Sequence, residues 1–199
     1  MTNSSRIAVL MTIAIVITVS AVYALVPTSV PTQGLKADGL KSLGHIELVL
    51  TDADGNIKAY RQTDNLIVNN GVYATSDKLF GTSLAVNEQT FTLVGVGSGI
   101  IAPTINNNDV GGQISSKKTG TVTSVTGSST GAQIQAFFGA GKLKNGSGTI
   151  AITEAGLFDS LTNASGLMYA RQTFTAINAG SADSLTVTWS ITFADSDST

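Results

Sequence analysis

His45 is the one histidine of the chain, and it stands at the start of a strand pattern, HIELVL. As the base of a Ser-His-Asp triad it would need a serine and a carboxylate brought to it by the fold. A lone histidine at a strand edge otherwise reads as a solvated or core side chain. Glu154 lies inside an apolar stretch, Thr153-Glu154-Ala155-Gly156-Leu157-Phe158. Acid catalysis there would call for a second carboxylate and a raised pKa, and the nearest candidate, Asp159, follows in a loop signal. The structural expectation is that Glu154 accepts backbone N–H bonds at a turn or pairs with Arg171. Asp52-Ala53-Asp54-Gly55-Asn56 has the opening of a calcium loop, but no glutamate follows at the spacing that bidentate chelation requires. Asp54-Gly55 therefore reads as a hairpin turn, of the primed kind that matches strand twist. Gly95, Gly97 and Gly99 alternate along TFTLVGVGSG. A phosphate cradle needs a helix to begin there, and Ile100-Ile101-Ala102-Pro103 followed by Asn106-Asn107-Asn108 offers none. Small residues on a strand instead let another backbone or a bulge come close.

With no cysteine, zinc–cysteine sites, iron–sulfur clusters, thiol nucleophiles and disulfides are all excluded. No residue is assigned to catalysis, to a cofactor or to a metal, and an enzyme is not expected. The net charge is -2, from 13 acidic and 11 basic residues, and Lys117-Lys118 is the sole basic cluster. Nucleic acid is an unsuitable partner for such a surface, because phosphate binding needs a basic footprint.

The elements that must carry these residues begin after an apolar run, residues 7–26, IAVLMTIAIVITVSAVYALV. Twenty residues at about 1.5 Å each match a hydrocarbon core of roughly 30 Å, so residues 1–26 are expected to be a transmembrane anchor or a signal peptide. Val22-Tyr23-Ala24 fits cleavage near Ala24. Arg6, the one charge before the run, favours a cytoplasmic N-terminus and an external C-terminal bulk. A pilin-like cut before the run is disfavoured by Ser4-Ser5-Arg6, and a soluble core helix would be amphipathic, not apolar all round. Residues 27–44, with two prolines and three glycines, read as a linker or extended arm. If freed by cleavage, the arm could add to a neighbouring subunit's open sheet edge. Asn145-Gly146-Ser147 and Asn163-Ala164-Ser165 are glycosylation sequons in turn-rich segments. Residues 195–199 read as a short acidic tail.

Residues 45–194 are expected to form one all-β domain of about eight antiparallel strands, a jelly-roll-like sandwich. The first two strands flank Asp54-Gly55. A short helix is expected over VYATSDKLFG, with Val72, Leu79 and Phe80 on its packed side. Strands follow at GQISSKKTGTVTSVT, GAQIQAFFGA, GTIAITEAGLF, GLMYARQTFTAI and SLTVTWSITFA. In the last, Leu185, Val187, Trp189, Ile191 and Phe193 share one face and Thr186, Thr188, Ser190 and Thr192 the other, as in a central strand. No internal repeat of solenoid or propeller length is present.

Five motifs occur in an order that resembles a β-sandwich domain of phage virion and tail-associated structural proteins, with related domains in exported archaeal surface proteins. They are Asn65-Leu66-Ile67-Val68-Asn69-Asn70-Gly71; Val94-Gly95-Val96-Gly97-Ser98-Gly99 with Ala102-Pro103; Thr153 to Phe158; Ala170-Arg171 with Thr173-Phe174; and Ser184 to Trp189. The resemblance covers about residues 64–194. It implies an assembling structural module and supplies no active-site residues. The apolar leader departs from the tail-protein pattern and suits a membrane-containing virion or a cell-surface fibre better.

The expected function is therefore a non-enzymatic, exported structural protein. It would pair with copies of itself in a surface filament, sheath or coat, held to the membrane by residues 7–26 where these are retained. A virion structural protein is the alternative. A carbohydrate-binding adhesin is the third, weakened by scattered tyrosines and by a lone Trp189 on an apolar strand face.

Overall fold

In a computed structural model, the structure describes residues 40–83, 90–126, 130–143, 148–159 and 166–195. The apolar run 7–26, most of the expected linker, and both sequons at Asn145 and Asn163 lie outside the described residues. Among the described residues no helix is long and apolar enough to cross a membrane.

The elements in chain order are β1 (Leu40–Thr51), β2 (Ile57–Asp64), β3 (Leu66–Ile67), α1 (Asn69–Phe80), β4 (Leu93–Gly97) and β5 (Lys118–Thr119). They continue with β6 (Thr121–Val125), β7 (Thr130–Phe138), β8 (Thr149–Phe158), β9 (Met168–Gly180) and β10 (Ser184–Asp195). Two five-stranded antiparallel sheets result, ordered β2-β1-β10-β7-β6 and β3-β9-β8-β4-β5. The eight longer strands match the expected number, and the two-residue β3 and β5 are added at the edges of the second sheet. A jelly roll consists of two Greek keys. Here β1–β2 and β6–β7 are hairpins of the first sheet, which also holds the long-range β1–β10 pair, and β8–β9 is a hairpin of the second.

One apolar core lies between the sheets, as in a sandwich. The first sheet contributes Ile46 and Leu48 of β1, Ile134 and Phe138 of β7, and Leu185, Val187, Trp189 and Ile191 of β10. The second contributes Val94, Val96, Ile152, Leu157 and Ile177. Strand β10 holds the centre of its sheet between β1 and β7, so the alternation read in its sequence marks a buried face and a hydroxyl-bearing one.

Three local readings change. The first strand begins at Leu40, not at His45, because residues 40–44 pair with Ile191–Asp195 of β10. Pairing here is set by the ladder and not by burial, since Leu43 is exposed. The β1–β2 hairpin forms as expected, but its turn is not primed. Gly55 N donates to Asp52 O (3.2 Å), Gly55 has φ 88°, and the register shifts between Leu50 and Thr51. That is a type I turn followed by a glycine bulge. Asp52 Oδ1 accepts from the backbone N–H groups of Asp54 (3.0 Å) and Asn56 (2.8 Å), so this carboxylate organises the turn. In α1 the buried residues are Gly71, Ala74 and Asp77, while Val72, Leu79 and Phe80 are exposed. Gly71 decides this orientation: a Cβ there would overlap the carbonyl oxygen of Tyr169, so only a glycine face can approach β9.

The β9–β10 turn is closed by a buried carboxylate. Asp183 Oδ2 accepts from Gly180 N (2.7 Å) and from Lys58 Nζ (2.6 Å), and the Lys58 bond, followed by the Gly180 N–H, holds its pKa below the ordinary value. We expect Asp183→Ala to lower the unfolding free energy by about 1–2 kcal/mol. Denaturant unfolding followed by Trp189 fluorescence checks this, since Trp189 is the one tryptophan and is fully buried.

Candidate functional site

Glu154 and Arg171 meet on the face of the second sheet that looks away from the main core. On a regular strand Ile152 and Glu154 would share a face. The ladder between β8 and β9 shifts between these two residues, which leaves Ile152 in the core with Ala155 and Leu157 and turns Glu154 outward. Re-aiming a side chain in this way is a common use of a bulge. Both groups remain buried, Glu154 at 0% and Arg171 at 3% exposure.

The covering is the long loop that follows β4. Glu154 Oε1 accepts from Gly99 N (2.7 Å) and Gly112 N (3.0 Å), at either end of a loop spanning residues 98–112. Glu154 Oε2 accepts from Arg171 Nε (2.9 Å) and Nη2 (2.6 Å). Arg171 Nη1 donates to Asn107 Oδ1 (3.1 Å), which also accepts from Thr104 N (2.7 Å). Thr153 Oγ1 donates to Gly99 O (2.8 Å). Burial pushes the Glu154 carboxyl up, but the N–H groups at the 111–112 turn and Gly99, with the Arg171 guanidinium, outweigh it and hold its pKa below the ordinary range. One buried ion pair thus fastens a loop at its start, its middle and its end.

The glycines make room for this clamp. A Cβ at Gly97 or Gly99 would overlap Glu154 Oε1, and one at Gly95 would stand 3.0 Å from the Phe158 ring. Of the two expectations for these small residues, another backbone or a bulge, the bulge on β8 lies opposite Gly97, and what comes closest is the Glu154 carboxylate and the Phe158 ring. Beyond the clamp, Lys117 Nζ sits 3.6 Å from the centre of the Phe158 ring and 3.8 Å from Asp109 Oδ1. Burial pulls the Lys117 pKa down, opposed by Asp109 and Asp159. Asp159, weighed above as a partner acid for Glu154, accepts from Leu167 N (2.6 Å) and serves the β8–β9 connection.

His45 does acquire spatial partners. It lies opposite Asp64 on β2 and Ser190 on β10, and its Nδ1 is 3.1 Å from Asp64 Oδ1. The Asp64 side chain is 94% exposed, and Ser190 Oγ takes a long hydrogen bond from Gln133 Nε2 (3.4 Å). A triad works from a buried aspartate that orients the imidazole. This row has the order of a triad and the surroundings of a solvated sheet surface. We expect His45→Ala to shift stability by less than about 0.5 kcal/mol in thermal unfolding, as for a surface substitution. Among the described residues no three acidic or histidine side chains gather as a metal site.

A different feature escaped the sequence. An apolar cavity of about 450 Å³, open to solvent on one side, lies between α1 and the two sheets. Leu79 of α1, Phe91, Ala132, Ile134, Tyr169 and Phe193 line it. Its walls come from six separate stretches of chain, so no local motif announces it. No protein-family profile, curated protein or solved structure matches this chain.

Proposed function

We propose that this chain is a non-enzymatic, exported structural subunit that assembles with copies of itself, through β-sandwich contacts, into a surface filament, sheath or coat. The observation that carries the reading is the edge at β6, which among the described residues pairs on one side alone. Residues Thr121–Val125 pair on one side with β7, and Thr121 to Ser124 are exposed. The strand reads TVTSV, with no charge and no proline. Proteins that stay apart blunt such edges with lysine, proline or a bulge; a strand left this way templates pairing with another chain. The buried charges add support, because Glu154, Arg171 and Asp183 are engaged in holding loops in place.

A virion structural protein is the second reading. Four of the five motifs quoted for the phage-protein resemblance lie in the clamp or in the strands around it. Where residues 7–26 are retained and not cleaved as a signal peptide, they would hold the chain to a membrane in either reading.

The test is the assembly state of the full chain in mild detergent, by analytical sedimentation and negative-stain electron microscopy. We expect filaments, rings or sheets for the wild type, and their loss in Val122→Lys, which puts a charge on the edge without touching the core. A wild type that stays monomeric at high concentration refutes the proposal. N-terminal sequencing of the native chain then separates a start near Leu25, at Met1 or near Ile7.

A further inference from the structure

Lys117 is the one lysine buried among the described residues, with its side chain 1% exposed. Its Nζ lies 3.6 Å from the centre of the Phe158 ring and 3.8 Å from Asp109 Oδ1, a separation longer than a hydrogen bond. Arg171, the other buried cation, is met by Glu154 at 2.6 and 2.9 Å. The contrast is chemical. A buried ammonium is costly unless carboxylates close on its N–H groups, and here an aromatic face takes one side. Burial accordingly favours the uncharged amine, against the pull of Asp109 and Asp159. An uncharged amine is a nucleophile.

Asp109 offers the carbon for it to attack. Its Oδ1 accepts from Val110 N (2.9 Å), a donor placed to stabilise charge that develops on that oxygen. Val110 and Phe158 belong to one small apolar cluster with Val68, Leu93 and Met168, so amine and carboxyl rest on the same dry floor. Bond formation needs reacting atoms held about 3–3.5 Å apart, and two anchored groups in 3.8 Å contact are a small side-chain rotation from it. Asp159, which follows Phe158 and is 3% exposed, supplies a second carboxylate whose charge acts on the same amine.

We infer that Lys117 and Asp109 join in an intramolecular isopeptide bond, formed by the folded chain itself, with Asp159 passing the protons. Lys117 Nζ bonds to Asp109 Cγ, and Oδ1 carries the charge of the tetrahedral state against the Val110 N–H. The Cγ–Oδ2 bond then breaks, and Oδ2 leaves as water with the two protons that the ammonium gives up. No oxidant or co-reactant is consumed. The product replaces two charges at a buried position by one neutral amide, which removes their desolvation cost. The Asp109 side chain is 27% exposed, so the water has a way out. The bond would tie the 98–112 loop to the residue before β5, a covalent staple in a chain without cysteine. It is independent of the self-assembly reading.

Peptide mass spectrometry of the full chain tests it. Trypsin has no site within residues 79–116, so Asp109 and Lys117 fall in one peptide. The expected wild-type product is residues 79–118, uncut at Lys117, lighter than its sequence by one water and giving no backbone fragments between Asp109 and Lys117. Lys117→Arg should return the peptide to full mass while keeping the buried Trp189 fluorescence of the folded chain. Asp159→Asn should reduce the joined fraction from nearly all of the chain to a minority. A wild-type peptide of full mass overturns the inference. So does a loss of water with cleavage at Lys117 and fragments throughout, which is a succinimide at Asp109. An unchanged joined fraction in Asp159→Asn overturns the role given to Asp159.

Discussion

Glu154→Ala should lower the unfolding free energy by about 3–5 kcal/mol, the cost of leaving a buried cation without its partner. Arg171 would keep its position among packed neighbours and lose both bonds to Glu154 Oε2, and the N–H groups of Gly99 and Gly112 would lose their acceptor. Replacing both charged residues by methionine should recover a large part of the loss, because a buried pair offsets its own desolvation and contributes little net stability. The loop over residues 98–112 would still be released in that double variant, since the N–H groups of Gly99 and Gly112 remain without an acceptor. Denaturant unfolding gives the stability, and amide hydrogen exchange at residues 98–112 gives the loop. Acid should act through the same group. The folded Glu154 pKa lies below its value in the unfolded chain, so in the interval between them the unfolded state binds more protons. The stabilisation is complete above the ordinary carboxylate range and is lost as pH falls through the lowered folded value. In Glu154→Gln that part of the acid sensitivity should vanish.

Gly97→Ala is the second large effect, expected at about 1–3 kcal/mol for forcing a methyl group into a filled space. The overlapping atom, Glu154 Oε1, is held by two backbone N–H groups and cannot step aside. The cost should fall sharply when Gly97→Ala is placed in the Glu154→Ala chain, where the space is empty. A double-mutant cycle measures this, and strict additivity would show that Gly97 matters for some reason other than the carboxylate.

The parts of the fold legible in the sequence were those written in strict alternation. Strand β10 is the clearest, because its apolar and hydroxyl residues interleave without a break, and its central place followed from that. Glu154 and Arg171 could be paired from neighbouring strand patterns. Their reach was hidden, because the bulge at Ile152–Glu154 reverses the face of Glu154 and the loop it holds has no period. The packed side of α1 was misread for a related reason. Val72, Leu79 and Phe80 are the larger apolar residues, but Gly71 sets the closest approach, and closeness to Tyr169 outweighs the size of the side chains elsewhere on the turn. The cavity could not be read at all, since strands from both sheets and one helix must come together before it exists.

The place of β10 between β1 and β7 also governs when the molecule can take shape. Of the described strands, β10 comes latest in the chain and is the one on which the first sheet closes, joining the β1–β2 hairpin to the β6–β7 hairpin. Until residues 184–195 emerge, β1 and β7 have no common neighbour, and Ile46, Leu48 and Ile134 have no Trp189 to pack on. Searching for such distant partners is slow, because chain must be looped before contacts reward it. Before β10 is in place, the β1–β2 and β6–β7 hairpins of the first sheet stay separate and their aliphatic faces uncovered, so closure of this sheet waits on residues 184–195.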